Sequence, residues 1–176
     1  VGKTIQITES FRLLRVLKAS PQTTVFQASD PQSGREVVIK LLSPPGAIAS
    51  EASQQRFIRF AETLQAAGIQ GMPRILDHGF QPDSSAFLVM EPVPGEGLDT
   101  LAGVRPTRTI PILAQVVATL QAAAKQGLAH HNLSPDNIQV AAGDAACLLG
   151  IGSAAFLAEA DGSGMLGHSP EADRYA

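Results

Sequence analysis

A short polar stretch, residues 130–138, contains side chains that can move protons or hold metal ions. It reads His-His-Asn-Leu-Ser-Pro-Asp-Asn-Ile. Proton transfer from a hydroxyl needs a base, and the amide of Asn132 cannot act as one. Asp136 is the one carboxylate in the stretch. A long helical pattern precedes these residues and a short apolar segment, Ile138 to Ala141, follows them. A loop between a helix and a strand must therefore position them.

In residue type and spacing, the stretch resembles the catalytic loop of protein kinases, H-R-D-x-x-x-x-N. The resemblance places Asn132 where the family has the aspartate that accepts the proton of the substrate hydroxyl. It places Ser134 where serine/threonine kinases usually have a lysine. His130 is similar to the histidine that braces the loop. Asn137 is similar to the residue that contacts the second magnesium ion and ties the loop backbone together. Asp136 matches a position that points away from the hydroxyl, so it does not replace the base.

The next motif lacks its acidic residue too. Residues 150–152, Gly-Ile-Gly, follow an apolar run and occupy the place of the kinase D-F-G motif. Gly150 stands where the magnesium-binding aspartate belongs, and no carboxylate is near enough in sequence to hold the metal. The resemblance therefore implies no catalytic residue and no metal site. The degenerate positions are Phe60, Asn132, Ser134 and Gly150.

Three strand patterns at residues 11–17, 23–29 and 36–42 resemble the start of the small lobe of a kinase. Residues 37–40, Val-Val-Ile-Lys, are similar to the V-A-I-K motif. Lys40 then matches the lysine that pairs with the α- and β-phosphates of ATP, although a solvated lysine at a strand end stays an alternative. The family has a glycine-rich loop between its first two strands. Here the three glycine positions hold Lys18, Ser20 and Thr23, and Pro21 removes a hydrogen-bond donor. We expect a poor phosphate cradle.

Residues 53–68 have apolar side chains at helical spacing, and Gly68 is a credible C-cap. This segment resembles helix C of kinases, whose glutamate holds the lysine of the third strand. Phe60 replaces that glutamate, and we expect it to pack into the lobe. Glu62 lies roughly opposite on the helix and could substitute only if the helix rotated.

Strand patterns at 75–80 and 86–91 complete a five-stranded sheet, and residues 87–95 resemble the kinase hinge. The resemblance makes Met90 the residue that guards the back pocket and turns the backbone of Glu91 and Val93 toward adenine. We expect no required cofactor, and at most weak ATP binding without magnesium. The implied nucleotide-binding residues are Lys40, Met90, Glu91, Val93 and Asn137.

An apolar stripe predicts a long helix in the second half of the chain, with Thr109 as N-cap, Pro111 in its first turn and Gly127 at its end. In the family, this face packs against elements that would follow Ala176. We therefore expect the stripe to be exposed or covered by a partner chain. Its residues are Ile110, Leu113, Val117, Leu120 and Ala124.

Composition excludes several classes of function. A net charge of −3 over 176 residues does not favour nucleic acid as a partner. The single Cys147 cannot form an intramolecular disulfide and is expected to be buried and inert. Residues 110–124 form the longest uncharged stretch, which is too short to span a bilayer, and no signal peptide is visible. Because the chain starts with valine, we expect it to be cut from a longer protein.

The chain is identified as a member of the bacterial serine/threonine protein kinase-like family in a degenerate, pseudokinase form. The implied fold is α+β with two lobes, a small five-stranded antiparallel lobe with helix C and a truncated, mainly helical large lobe. The predicted boundaries are 1–91 for the small lobe, 92–97 for the hinge and 98–176 for the partial large lobe.

The predicted function is a scaffold or regulatory binding module for a signalling protein partner. The predicted location is the cytoplasm, in the form of an independent protein or the cytoplasmic part of a membrane-anchored one. Two alternatives stay open. One is a divergent kinase or related phosphotransferase that uses a displaced carboxylate such as Glu62 or Asp144. The other is a fragment of a larger sensor kinase with no separate function.

Overall fold

The computed structural model describes residues 3–42, 50–101 and 105–151. These residues form two units. The first contains 3–42, 50–66 and 74–92, and the second contains 67–73, 93–101 and 105–151. Residues 67–73 thus belong with the second unit, although they lie inside the small lobe as the sequence delimits it.

The first unit is built on a five-stranded sheet, as predicted. The strand order is β1-β2-β3-β5-β4, and every neighbouring pair is antiparallel. The strands are β1 (Arg12–Ala19), β2 (Thr23–Ser29), β3 (Glu36–Leu42), β4 (Ile75–Phe80) and β5 (Ala86–Met90). Alternation along β3 buries Val37 and Ile39 in one cluster with Phe87 and Val89 of β5, because successive side chains point to opposite faces of a sheet.

The N-terminal residues cover this apolar cluster. Ile7, in the short helix α1 (Ile7–Ser10), is buried within it. The chain before α1 runs beside β4, where the Ile5 N–H donates to the Phe80 carbonyl and the Phe80 N–H donates to the Lys3 carbonyl, both at 2.9 Å. A side chain at Gly79 would lie 2.6 Å from that Lys3 carbonyl. Glycine is therefore required for the close approach of the two backbones.

One long helix, α2 (Glu51–Ala67), completes the first unit. Its buried apolar residues Phe57, Ala61 and Leu64 recur at helical spacing. The ring of Phe57 packs edge-on against Phe80, with 5.3 Å between ring centroids. Gly68 follows the helix with a φ of +52°, the left-handed conformation that ends many helices. The predicted helix and its glycine C-cap are confirmed.

The second unit combines a long helix with a small sheet. The helix is α3 (Pro106–Lys125). The antiparallel sheet has the order β6-β7-β8, with β6 (Glu96–Gly97), β7 (Ile138–Val140) and β8 (Ala146–Leu148). The 3₁₀ turns of this unit are Leu98–Thr100, Pro135–Asn137 and Ala142–Asp144. Among the described residues, no helix is both long enough and apolar enough to cross a membrane.

Helix α3 begins earlier than the sequence predicts. Arg105 is its N-cap, so Thr109 as N-cap is wrong, and Pro111 lies inside the helix rather than in its first turn. Pro106 explains the early start, because a proline at the first helical position has the required φ and needs no N–H donor there. At the other end, the N–H groups of Gly127 and Leu128 donate to the carbonyls of Ala124 and Ala123. This Schellman pattern confirms the predicted stop at Gly127.

Hydrogen bonds explain why residues 67–73 belong to the second unit. The buried Thr119 of α3 donates from Oγ1 toward the Gln70 carbonyl at 3.3 Å and the Gln115 carbonyl at 3.0 Å. The Leu148 N–H of β8 donates to the Gly71 carbonyl at 2.7 Å. A Cβ at Gly71 would lie 2.2 Å from Thr119 Oγ1. The loop that follows α2 is thus fixed to α3 and β8.

Three of the five residues in the apolar stripe of α3 face solvent, and Leu120 and Ala124 are half-buried. Ile110, Leu113 and Val117 are between 43% and 67% exposed, whereas the buried side chains of the helix are Ile112, Val116, Thr119 and Ala123. We expect the 176-residue chain to bind a hydrophobic dye and to self-associate at high concentration, because contiguous exposed apolar surface is sticky. Replacing Ile110 and Val117 with glutamine should reduce both effects. A parent protein that is monomeric by light scattering and binds no dye would contradict this expectation.

Candidate functional site

The loop after α3 is braced by a buried histidine. His130 is fully buried, and its Nε2 lies 2.8 Å from the Leu149 carbonyl oxygen. The backbone N–H of Asn132 donates to His130 Nδ1 at 3.2 Å. Since Nδ1 accepts a hydrogen bond, the proton of the neutral ring is on Nε2 and is donated to Leu149. The ring thereby joins the loop to the chain segment that follows β8.

Asn137 holds the same loop closed from the other side. Its Nδ2 donates to the Asn132 carbonyl at 2.9 Å and to Ser134 Oγ at 3.0 Å. Its own carbonyl accepts the Leu149 N–H at 2.7 Å. Ser134 Oγ in turn donates to a carboxylate oxygen of Asp136. Because both N–H bonds of the amide are used within the loop, Oδ1 is the side-chain atom of Asn137 that can accept a ligand or an ion.

Positions 132 and 150, where the kinase motifs have an aspartate, lack a carboxylate. The side chain at 132 is an exposed amide, and Asp136 is bound by Ser134 inside the loop. Gly150 has a φ of +83°, and the next residue, Ile151, is buried. Magnesium in proteins is usually bound through carboxylates, and neither position 132 nor position 150 supplies one. The described residues contain no cluster of three histidine, cysteine or acidic side chains suited to a metal. They do not fit the magnesium ion that the family uses.

In the first unit, strand register brings Lys40 and Met90 to one face. Val38 of β3 is paired with Met90 of β5, and Lys40 lies two residues further along β3 on the same side. The pKa of Lys40 is lowered to about 8, chiefly by burial and also by the charge of Lys18. An ammonium group in such a place is a strong attractor for an anion, because little water competes with the ligand.

The polar groups of the hairpin between β1 and β2 form hydrogen bonds with one another. The Ser20 N–H donates to the Thr23 carbonyl at 2.8 Å, and the Thr23 N–H donates to Ser20 Oγ at 3.1 Å. The two hydroxyl oxygens lie 3.0 Å apart. Pro21 has no N–H to offer. The backbone N–H groups of Ser20 and Thr23 are therefore engaged within the turn and are not presented to a phosphate.

Of the two acidic residues considered as replacements, Asp144 forms an ion pair and Glu62 lies exposed in a groove. Asp144 Oδ1 accepts from Arg108 Nε at 2.7 Å within the second unit. Glu62 is exposed and lines a groove of about 440 Å³ with Lys3, Asp77 and His78. Phe60, at the position of the missing helix C glutamate, is half-buried with its ring 6.5 Å from that of Phe57. An aromatic ring cannot form an ion pair with a lysine.

Backbone groups of the hinge segment, residues 87–95, can face a ligand. The Glu91 N–H donates to the Arg74 carbonyl at 3.0 Å, so the carbonyl of Glu91 is the group that can face a ligand. Gly95 has a φ of +113°, and a Cβ there would lie 2.2 Å from the carbonyl oxygen of Val140. Val93, the other predicted adenine contact, is half-buried at the start of the second unit.

The structure therefore groups the predicted residues within each unit. Lys40 and Met90 share a face in the first, and hydrogen bonds connect Asn132, Ser134 and Asn137 in the second. Sequence reasoning treated Lys18 as an obstacle to phosphates, whereas the structure gives it an electrostatic effect on Lys40. Cys147 is half-buried, and burial raises the pKa of its thiol to about 11, so the thiolate that reacts or binds metals is disfavoured.

The five-stranded sheet with its helix, followed by a loop braced from a buried histidine, defines a protein kinase-like domain. A solved structure of the kinase domain of PknI from Mycobacterium tuberculosis, in a double-mutant form, matches with a TM-score of 0.73 and 23% identity. The match covers 95% of this chain and 69% of that chain. The predicted kinase-like fold is confirmed.

The chain belongs to the phosphotransferase enzyme family, whose sequence model matches residues 15–161. It is 36% identical to the serine/threonine-protein kinase pkn2 of Myxococcus xanthus, over 82% of this chain and 18% of that protein. It is 32% identical to PknD of Mycobacterium tuberculosis, over 82% of this chain and 22% of that protein. The predicted relationship to bacterial serine/threonine kinases is confirmed, and the chain spans about a fifth of the length of these relatives.

Proposed function

We propose that this chain is a kinase-like domain without phosphotransferase activity that serves as a regulatory binding module or scaffold in bacterial signalling. One observation carries the proposal. The hydrogen-bonded frame of the catalytic loop is intact from His130 to Asn137, while both positions that need an aspartate, Asn132 and Gly150, lack a carboxylate. A loop that keeps its hydrogen bonds but lacks the carboxylates needed for catalysis suits a protein that acts through its surface.

The size of the combined losses supports inactivity. Loss of a general base alone lowers a rate by about a hundred- to ten-thousand-fold. Phosphoryl transfer depends chiefly on positioning and on metal ions that neutralise developing charge. Here the base, the metal ligand, the glycines of the phosphate-binding loop and the glutamate of helix C are replaced together. A residual rate would have to arise without any of these groups.

The same proposal includes weak ATP binding without magnesium, and no required cofactor. The residues that would contact the nucleotide are Lys40, Met90, Glu91, Val93 and Asn137. The partner is a protein, such as a signalling or regulatory domain, and the location is the cytoplasm. A net charge of −3 gives no basis for nucleic acid binding.

A second candidate is a divergent serine/threonine kinase or phosphotransferase with weak activity. Membership of a phosphotransferase family and the names of the bacterial relatives favour it. It would need a displaced carboxylate. Asp144 is paired with Arg108 and would have to leave that contact, and Glu62 lies in the groove that Asp77 also lines.

Transfer of labelled phosphate from ATP separates the two candidates. We expect no autophosphorylation and no label on generic protein substrates, with either magnesium or manganese, because no carboxylate stands at position 132 or 150. Label that persists at full strength in a Lys40→Ala variant would come from a contaminating kinase. Label that disappears in Lys40→Ala would refute the proposal. Loss of that label in Glu62→Gln or Asp144→Asn would identify the displaced carboxylate.

A further inference from the structure

Strand β1 lies at an edge of the sheet in the first unit and is basic. Within the described sheet its neighbour is β2, and no strand lies on its other side. The strand contains Arg12, Arg15 and Lys18, and the sequence has no acidic residue from Phe11 to Ser29. Since the whole chain has a net charge of −3, this positive charge is local to one edge.

A register shift brings the two arginines of β1 to one face of the sheet. Arg12 is paired with Ser29 of β2 and Arg15 with Gln27, and Leu14 is the extra residue between them. Residues two apart on β2 project from the same face, so the arginines paired with them do too. Without the extra residue, side chains three positions apart would lie on opposite faces. The arginines are therefore about 7 Å apart along the strand.

Side-chain contacts agree with this placement. Arg15 Nε donates to Gln27 Oε1 at 2.6 Å, and Gln27 Nε2 donates to a carboxylate oxygen of Glu36 at 3.2 Å. Glu36 is on β3, two strand spacings or roughly 10 Å from β1. Gln27 thus holds the exposed Arg15 side chain through one N–H group, and the guanidinium keeps further donors for a ligand.

The opposite face of β1 is apolar and partly open to solvent. Val16 is paired with Phe26, which packs against the apolar cluster of the first unit. Val16 itself is 54% exposed. Because side chains of an extended chain alternate between two faces, an edge with arginines on one face and an open valine on the other matches a strand with acidic and apolar side chains in alternation.

We infer that β1 is the docking edge for an extended segment of a partner protein in which acidic and apolar side chains alternate. In such a segment, acidic side chains two residues apart share a face at a spacing of about 7 Å, as Arg12 and Arg15 do. An edge strand also presents backbone N–H and C=O groups to an added strand. The inference rests on the proposed function, because it gives the chemistry of the protein partner assigned there. Lys18 is not one of the docking residues, since it takes part in other interactions.

The same charges disfavour a second copy of this chain as the occupant. Two β1 strands in an antiparallel pair would bring the arginines of one copy close to those of the other, and like charges in cross-strand pairs are destabilising. Bulges and charges on an edge strand also protect a sheet from pairing with its own copies. A strand with carboxylates converts the same charges into an attraction.

Fluorescence anisotropy with synthetic peptides tests this docking edge on the full 176-residue chain. The probe is a short labelled peptide in which glutamate and valine alternate, and the matched peptide has glutamine in place of glutamate. We expect saturable binding of the acidic peptide below about 1 mM. The glutamine peptide should bind at least about tenfold more weakly, because it lacks the charge. Raising the salt concentration from about 50 to about 500 mM should weaken binding of the acidic peptide roughly tenfold.

Variants of the two arginines make the test specific. Arg12→Gln and Arg15→Gln should each weaken binding of the acidic peptide about threefold, and the two together about tenfold, because exposed charge pairs contribute modestly and nearly additively. Arg59→Gln is the matched control, since it removes one positive charge from an exposed position on α2. It should bind the peptide as the parent does. Circular dichroism checks that each variant keeps the fold, which exposed positions favour.

The inference is overturned if the parent does not bind the acidic peptide, if the glutamine peptide binds as tightly, or if the variant with both β1 substitutions binds as tightly as Arg59→Gln. It is also overturned if single-stranded DNA of the same net charge binds as tightly as the peptide, because the edge would then attract any polyanion. A dimer of the parent that the two substitutions strengthen would assign the edge to a second copy, with the same consequence. These measurements contain no ATP, so their failure is distinguishable from failure of the labelled-ATP test.

Discussion

Replacing Lys40 with methionine is expected to raise the free energy of unfolding at pH 7 by about 2–3 kcal/mol. The reason is that burial, together with the charge of Lys18, lowers the pKa of Lys40 from its ordinary 10.5 to about 8. The folded protein therefore holds a charged lysine at pH 7 in a place that disfavours the charge. Methionine has a similar length and needs no hydration, so it removes this penalty.

The effect depends on pH in a defined direction. Below pH 8, Lys40 is charged in both the folded and the unfolded chain, and the penalty is fully present. Between pH 8 and 10.5 the unfolded chain binds the proton and the folded chain releases it, so the stability of the parent rises with pH. Above pH 10.5 both forms are neutral, and the difference between parent and Lys40→Met disappears.

Urea unfolding of parent and variant at pH 7, 8.5, 9.5 and 10.5 measures this difference. At pH 7 a gain of this size should appear in a thermal scan as a rise of roughly 10 °C in Tm. Lys18→Met is the companion variant, because it removes the neighbouring charge but not the burial of Lys40. It should give a smaller gain over the same pH window. If Lys40→Met is less stable than the parent at pH 7, the ammonium group is stabilised by its surroundings and this reasoning fails.

Apolar periodicity made the sheet and α2 predictable from sequence. The alternation in β3 and the spacing of Phe57, Ala61 and Leu64 fix which sides are buried. The start of α3 was not predicted, because Thr109 is a good N-cap by type and the effect of Pro106 at the first helical position outweighed it. Helix ends depend on a few local interactions, and a polar residue at the right spacing does not identify which of them prevails.

The candidate site, like the fold, could be predicted from the sequence only in part. Substitutions such as Asn132 and Gly150 are visible in sequence, because a missing carboxylate is a matter of residue type. The relation between Lys18 and Lys40 requires strand register, and β1 contains two register shifts, between Leu13 and Arg15 and between Val16 and Lys18. Simple alternation along β1 would assign faces incorrectly after each shift. Only the observed pairing shows which side Lys18 takes.

A Gly150→Asp variant is expected to make nucleotide binding magnesium-dependent. The Leu149 N–H donates to the Asn137 carbonyl at 2.7 Å, so residue 150 directly follows a residue bonded to Asn137. A carboxylate there could share a magnesium ion with Asn137 Oδ1. Gly150 has a φ of +83°, and aspartate is among the few other residues that adopt this conformation with modest strain. We expect magnesium to tighten ATP binding about tenfold, or about 1.4 kcal/mol, in the variant alone.

Gly150→Asn is the matched control, because asparagine tolerates the same backbone conformation and has the same size without the charge. Asn132→Asp alone should restore nothing, since a base has no effect without metal-positioned phosphates. Even Gly150→Asp with Asn132→Asp should show no catalysis, because residues that act as a unit do not restore activity singly or in pairs. Titration with and without magnesium provides the measurement for each variant.

Two results of that titration have different physical meanings. Magnesium-dependent binding in Gly150→Asp but not in Gly150→Asn would mean that the loop lost its metal by a single change and kept the shape for it. Equal binding with and without magnesium in both would contradict the prediction.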